Sequence, residues 1–285
     1  MNDIRKKIKQ LEVMVAEVII NTDETTTLIL FTGNDLLAYE PGHFLTIDPH
    51  QFEALERWTK YLEDKKGKRE KPRAYSLSSA PDEKYLAVTI KEERYISGKT
   101  KYPPLLSPIL AKRTPRGTRM VITGFTGPYV LKEPVEETLV HICAGSGIVP
   151  NYSIIKYALR NYPDIKHKLL YSNRNWSDTI FGNELLQLQK DFPDHLDIVF
   201  AFTRKPKSGL PVKCYNRRVD LEMINEILPE ENRTIYVCGP GNSIYEKRAA
   251  KEKELTPPPR FLESVLTDLI TLGIDKEDIK NESYG

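Results

Sequence analysis

The chain has 285 residues, enough for one large or two medium domains. Forty-two Lys and Arg against 40 Asp and Glu leave a formal charge of +2, and 29% charged with 40% hydrophobic residues excludes wholesale disorder and supplies a core. No apolar run approaches the ~18 residues of a membrane helix, near-neutral charge offers nucleic acid no global attraction, and a cytoplasmic protein is expected. The opening, Met1 to Gln10, carries Arg5, Lys6, Lys7 and Lys9 with no apolar stretch behind it, so no secretory leader is expected. From Leu11 to about Lys91 the segments are short and rich in Val, Ile, Thr and Tyr: Val13–Ile20, Thr25–Thr32, Gly42–Ile47, Arg73–Ser79 and Tyr85–Lys91. Turn formers such as Asn21-Thr22-Asp23, Gly33-Asn34-Asp35 and Ala80-Pro81-Asp82 separate them, the rhythm of an antiparallel barrel or sandwich. After Glu137 strands alternate with helices: Thr138–Cys143, Lys168–Ser172, Asp197–Thr203 and Thr234–Cys238 read as strands, and Pro150–Asn161, Gly182–Asp191 and Asp220–Leu228 as helices. That alternation predicts a parallel sheet covered on both faces. The boundary is placed in the charged stretch Lys132–Glu137, giving domains 1–134 and 135–285. Two charged segments, 51–72 and 245–260, look inserted and read as solvated helix or loop.

Ala144-Gly145-Ser146-Gly147-Ile148-Val149-Pro150 follows a buried strand and opens a helix, so its N–H groups and the positive helix end can face an anion. Pro150 in the first helical turn sacrifices no hydrogen bond. The alternative is a tight turn with no ligand. Pro150 stands where the usual dinucleotide fingerprint has its third glycine, and the second strand ends in Ser172-Asn173-Arg174 rather than in the acid that holds a ribose hydroxyl. Arginine there suggests a 2′-phosphate. Thr203-Arg204 and Lys213-Cys214-Tyr215 add cations and an aromatic plane at the same sheet edge, though Arg204 and Lys213 also read as surface charges. Cys143, Cys214 and Cys238 fit neither a disulfide framework nor metal-ligand spacing, so no metal site is expected and redox chemistry would need an organic cofactor.

Four motifs occur in fixed order: Arg73-Ala74-Tyr75-Ser76, Gly145 to Pro150, Cys238-Gly239-Pro240 and Glu282-Ser283-Tyr284. Together they resemble the ferredoxin–NADP⁺ reductase superfamily over nearly the whole chain. The resemblance implies an N-terminal antiparallel β-barrel for FAD followed by an α/β domain for NADP(H). It implies that Arg73 meets the flavin pyrophosphate, that Ala74 lies in the same flavin-lining strand, that Tyr75 lies against the ring or ribityl chain, and that Ser76 sits near flavin N5. Thr89, Ile90 and Lys91 match the next flavin-lining strand, Ser107 matches a phosphate loop, and Gly42-His43-Phe44 and Gly127-Pro128-Tyr129 match further elements of that domain. On the other side it assigns Gly145, Ser146, Gly147, Ile148 and Pro150 to the dinucleotide pyrophosphate, and Cys238, Gly239 and Pro240 to the nicotinamide edge. Thr203, Arg204, Lys213 and Tyr215 correspond to a 2′-phosphate site, for which Ser172 and Arg174 are the competing choice. Glu282 corresponds to a carboxylate working with Ser76, and Tyr284 to an aromatic ring stacked on the flavin.

The implied activity is an NAD(P)H-dependent flavoprotein reductase: hydride moves from NADPH to FAD and electrons leave singly. No cysteine cluster of a fused iron–sulfur domain is present, so the implied acceptor is a separate ferredoxin, flavodoxin or oxygenase component, with the basic stretch Lys60–Arg73 docking an acidic carrier. The motifs equally suit the reductase of a ring-hydroxylating oxygenase. A non-enzymatic module on the same scaffold is the third reading, and Ser76, Cys238 and Glu282 argue against it.

Overall fold

Period-two burial builds the first half. The computed structural model describes residues 9–33, 37–97, 102–205, 209–252 and 254–284. Arg5, Lys6 and Lys7, the turn residues Asn34 and Asp35, and Gly285 lie outside them. Strand β1 (Gln10–Thr22) buries Val13 and Val15, and β2 (Thr25–Phe31) buries Leu28 and Leu30. They pair antiparallel through a hairpin in which Thr22 faces Thr25, so the expected turn at Asn21–Asp23 falls one residue later, at Asp23–Glu24. Next come β3 (Phe44–Ile47), helix α1 (Glu56–Lys66), β4 (Arg73–Ser76), β5 (Leu86–Lys91), helix α2 (Ser107–Lys112) and β6 (Arg119–Thr126). The strands form one antiparallel sheet in the order β4-β3-β6-β1-β2-β5. A Leu77–Val88 bridge, with the Ser78 N–H donating to the Ala87 carbonyl at 2.9 Å, joins the two outer strands and closes the sheet into a barrel. Its interior is apolar, with Leu45, Ile47, Leu77, Val88, Ile90 and Ile122 all at most 1% exposed.

The charged insertion forms α1, which packs Leu62 inward and stops at Gly67, where φ is +63° and the N–H donates to the Glu63 carbonyl. Strand β6, unanticipated from sequence, carries Gly124 at φ +87° beside a register shift against β3. A glycine at a bulge breaks the alternation by which strands are read.

The chain divides into two compact units, Met1–Val130 and Leu131–Gly285. In the second, β7 (Thr138–Ala144) leads to α3 (Ile148–Asn161), β8 (Lys166–Asn175), α4 (Gly182–Asp191), β9 (Leu196–Lys205), β10 (Lys213–Tyr215), α5 (Leu221–Ile227), β11 (Arg233–Pro240), α6 (Ile244–Lys251), α7 (Phe261–Thr271) and β12 (Ile279–Tyr284). All six strands are parallel, ordered β10-β9-β8-β7-β11-β12. The fold class expected from the sequence is therefore present: an antiparallel barrel followed by an α/β unit with a parallel sheet. One face of that sheet packs Leu170, Val199 and Val237 with α5 and α7, and the other packs Tyr171, Phe200 and Cys143 with α3 and α4. The strand sequence runs outward from β7 through β10 and then resumes on the opposite side of β7 with β11. Ligands of such sheets bind beyond the carboxyl ends of the strands at that reversal. Among the described residues, no helix is long and apolar enough to cross a membrane.

Candidate functional site

At the reversal, β7 runs into a tight turn, Gly145–Gly147, before α3 begins. Gly145 has φ +54°, a left-handed conformation that glycine adopts without strain. Its carbonyl accepts the Tyr171 hydroxyl at 2.9 Å. Gly147 is glycine for a different reason from the one its sequence suggests: a Cβ there would stand 2.0 Å from the Cys238 carbonyl oxygen. Gly239 is constrained likewise, because its Cβ would lie 2.6 Å from the Phe261 ring. These two glycines are required by the packing of the protein's own segments, and only Gly145 by its dihedral angle. Ile148 and Pro150 are buried in the first turn of α3, Ser146 is half-buried, and Pro240 is exposed at the end of β11.

One rung of the sheet gathers the reactive groups. Cys238 on β11 is in register with Cys143 on β7 and with Glu282 on β12. Burial pushes the Cys238 thiol well up, and the neighbouring Glu282 and Cys143 push it further, so it is a neutral thiol at physiological pH. Glu282 has one carboxylate oxygen buried without a hydrogen-bond partner. Burial lifts its pKa to about 7, against a smaller downward pull from a Tyr284 hydrogen bond. A carboxyl poised there exchanges a proton at neutral pH with little driving force in either direction.

Along the same edge most cations are already engaged. The Arg174 guanidinium forks onto Asp178 at 3.1 and 3.2 Å. Lys213 and the Tyr215 hydroxyl both meet Glu226, and the Tyr215 ring lies under Lys213 and Arg217 at 5.0 and 4.8 Å. Thr203 and Arg204 are exposed at the end of β9, and among the described residues Arg204 forms no ion pair. Ser172 is buried at the end of β8, and beside it Asn173, to which the sequence assigns no role within Ser172-Asn173-Arg174, is 6% exposed with an unpartnered amide nitrogen.

On the barrel, β4 pairs with β3 so that Ser76 faces Phe44 and Tyr75 faces Leu45. Ser76 is buried, Tyr75 half-buried and Ala74 exposed. Burial, with Glu93 nearby, raises the Tyr75 phenol above its ordinary value. Arg73 donates to the Glu70 carboxylate, which Lys66 also meets; Glu70 is buried, yet those two hydrogen bonds outweigh desolvation and hold its carboxyl below the usual range. Thr89 shares a hydrogen bond with Thr27 at 2.7 Å, Lys91 meets Glu24 at 3.6 Å, and Ile90 points into the core, which leaves only its backbone for a ligand. The Ser107 hydroxyl accepts the Glu93 N–H at 3.1 Å, and Ser78 carries a buried hydroxyl with no partner.

A sequence-family model of the oxidoreductase NAD-binding domain matches residues 141–245, which span the turn, β9 and β11. The ferredoxin reductase component of 3-ketosteroid-9-alpha-monooxygenase from Mycobacterium tuberculosis is 29% identical over 250 residues, 84% of this chain and 61% of its own length. The ferredoxin–NADP reductase of Thermosynechococcus vestitus is 28% identical over 193 residues, 62% of this chain and 50% of its own. Among solved structures, the FAD/NAD-binding domain of the Vibrio cholerae nitric oxide dioxygenase superposes with TM-score 0.72 at 22% identity, covering 98% of this chain and all of that one, the full 100%. Residues 141–245 thus match the oxidoreductase NAD-binding family, and the chain is similar along most of its length to ferredoxin reductases. The chain spans 58% and 61% of the length of the first curated relatives it matches. Sequence reasoning located the four motifs but missed Tyr171, because a buried polar side chain that serves a distant turn leaves no local pattern.

Proposed function

We propose that this chain is an FAD-dependent oxidoreductase that takes hydride from NADPH and passes single electrons to a separate carrier protein. The observation that carries the reading is the Cys238–Glu282 rung at the sheet reversal, a neutral thiol beside a carboxyl that titrates near neutrality, immediately below a glycine turn. When bound, the two cofactors supply hydride transfer and its division into single electrons. The residues present fit them. The left-handed Gly145 and the exposed Arg204 suit a phosphorylated dinucleotide, and the orphan Ser78 hydroxyl, two residues past the end of β4, offers the barrel unit a polar contact for a ligand. Cys238 would pack against the nicotinamide edge without bringing a charge to it, with Gly239 and Pro240 shaping that edge. Glu282 and Ser76 would hold and move protons, Tyr75 and Tyr284 would offer aromatic faces, and Arg73, Thr89, Lys91 and Ser107 would line the FAD. Gly145, Ser146, Gly147, Ile148 and Pro150 would hold the pyrophosphate, with Thr203, Arg204, Lys213 and Tyr215, or Ser172 and Arg174, at the 2′-phosphate. Anaerobic titration of the purified protein tests this: a flavin band bleached by NADPH supports it, and a colourless protein that takes up no added FAD overturns it.

A second reading places the acceptor in an oxygenase system. It is favoured by the Mycobacterium tuberculosis relative, named as a ferredoxin reductase component of a monooxygenase, which aligns over most of this chain. Reduction of a ferredoxin but not of an oxygenase component would decide for the first.

A further inference from the structure

Beneath the glycine turn lies a row of buried polar side chains for which the proposed chemistry has no use. Asn151, on the first turns of α3, is fully buried, and its amide nitrogen donates to the Gly147 carbonyl at 2.7 Å. With the nitrogen committed, its oxygen faces His141, whose Nδ1 lies 2.8 Å away and therefore carries the hydrogen. The His141 Nε2 is then a bare acceptor and takes the hydrogen on His167 Nδ1 at 3.2 Å, which leaves His167 Nε2 bare, buried and without a partner. Both histidines are wholly buried, and His141 stacks between Tyr236 and His167 at centroid distances of 5.4 Å. Burial holds both rings neutral. Only one arrangement of hydrogens satisfies this row, so it has a fixed direction, from His167 toward Gly147.

A second buried side chain reaches the other end of the same turn: the Tyr171 hydroxyl donates to the Gly145 carbonyl. Glycines are the most conformationally permissive residues, so a turn built from two of them is free to rock unless something holds it. In a planar trans peptide the carbonyl and the following N–H point in opposite directions. Drawing the Gly145 carbonyl inward to Tyr171 thus turns the Ser146 N–H outward, and drawing the Gly147 carbonyl toward Asn151 fixes the far end of the turn, where the Ile148 N–H is already given to the Gly145 and Ser146 carbonyls. An apolar core of the same shape would avoid the orphan His167 nitrogen, whose burial is destabilising. What the polar row supplies is direction.

We propose that Asn151, braced by His141, together with Tyr171, are positioning residues that aim the N–H groups of the Gly145–Gly147 turn at the dinucleotide pyrophosphate. The inference rests on the reading of this turn as the phosphate cradle. It is tested by calorimetric titration of the flavin-loaded protein with NADP⁺ and with adenosine 2′-phosphate, which lacks the pyrophosphate, alongside melting temperatures. Asn151→Leu and Tyr171→Phe are each expected to weaken NADP⁺ binding about tenfold, the scale of one lost hydrogen bond, while adenosine 2′-phosphate binds as before. Asn151→Ser, whose hydroxyl can return to the carbonyl four residues back, is expected to restore most of the NADP⁺ affinity. The inference falls if both Asn151→Leu and Tyr171→Phe bind NADP⁺ as the wild type does, or if they lose the two ligands in equal measure. Should the wild type bind NADP⁺ no more tightly than adenosine 2′-phosphate, the cradle reading itself fails and takes the inference with it.

Discussion

Glu282 is the residue whose charge state the surroundings alter most usefully, because its pKa of about 7 stands well above the ordinary 4.5. A carboxyl raised in this way binds its proton more tightly in the folded state, so its stabilising contribution is complete below about 4.5 and is lost as the pH climbs through 7. Glu282→Gln is expected to flatten that decline, read as melting temperature against pH, and to abolish an inflection near neutrality in NADPH-to-ferricyanide turnover. A second prediction concerns selectivity between NADPH and NADH. Arg204 has no ion pair among the described residues, whereas Lys213 is already held by Glu226. Arg204→Ala should raise the NADPH KM by roughly tenfold, the worth of a charge-assisted bond, with little change for NADH, and Glu226→Gln should lower the NADPH KM by releasing Lys213. Equal losses for both dinucleotides would remove the 2′-phosphate assignment. At this scale the sequence shows which residues are chemically able, and it is silent on their commitments: nothing near Lys213 in the chain announces Glu226, thirteen positions on.

The elements most legible in the sequence are those whose pattern is strong and local. The 182–191 helix begins and ends where its periodicity says, and β7 reads as a buried strand because helices cover both faces of its sheet. Strand β10 has only three residues and β12 mixes polar with half-buried positions, so neither has a period long enough to see, although both complete the sheet. Helix α7 was passed over behind its run of prolines, although Leu262, Val265 and Leu269 give it an inward stripe. The glycine turn joins two elements through a contact that no local pattern encodes, since Gly147 meets β11 some ninety positions later. Gly147→Ala is therefore expected to destabilise by about 3 kcal/mol, at the upper end of overpacking in a well-filled site, because the atom it would strike is backbone. Chemical denaturation would check this, and a loss under about 1 kcal/mol would mean that the turn yields easily.

Across the whole molecule the charge is nearly balanced, so any steering of a partner must come from local concentration. Helix α1 and the residues after it supply one: Lys60, Lys65, Lys68, Arg69 and Lys71 are exposed, while Lys66 is tied to the buried Glu70 and lies 5.0 Å from the Tyr102 ring centroid. Lys66 is thus a structural lysine, and the test of docking uses its neighbours. Reversing Lys60, Lys65 and Lys71 to Glu should slow reduction of an acidic carrier several-fold at low ionic strength, less so at high salt, and leave ferricyanide reduction unchanged. Carrier rates that match wild type at low salt would assign this face no role in docking. The overall architecture was legible because two rhythms, close-spaced strands from Leu11 to about Lys91 and then strand–helix alternation after Glu137, each persist over a long stretch of chain. Closure of the first sheet was not, since it depends on two strand ends meeting in space.

That closure has a mechanical side. The barrel is fastened between β4 and β5 by the Leu77–Val88 bridge and by hydrogen bonds from the Ser78 and Ser79 N–H groups to the Ala87 carbonyl and from the Ala87 N–H to Ser79 Oγ, and the residues proposed to line the flavin, Arg73 to Ser76 and Thr89 to Lys91, flank this seam. A ligand lying across both strands acts as a clasp on a hoop, so occupancy and rigidity rise together by mass action. Amide exchange along the seam would then serve as a gauge of how full the barrel is.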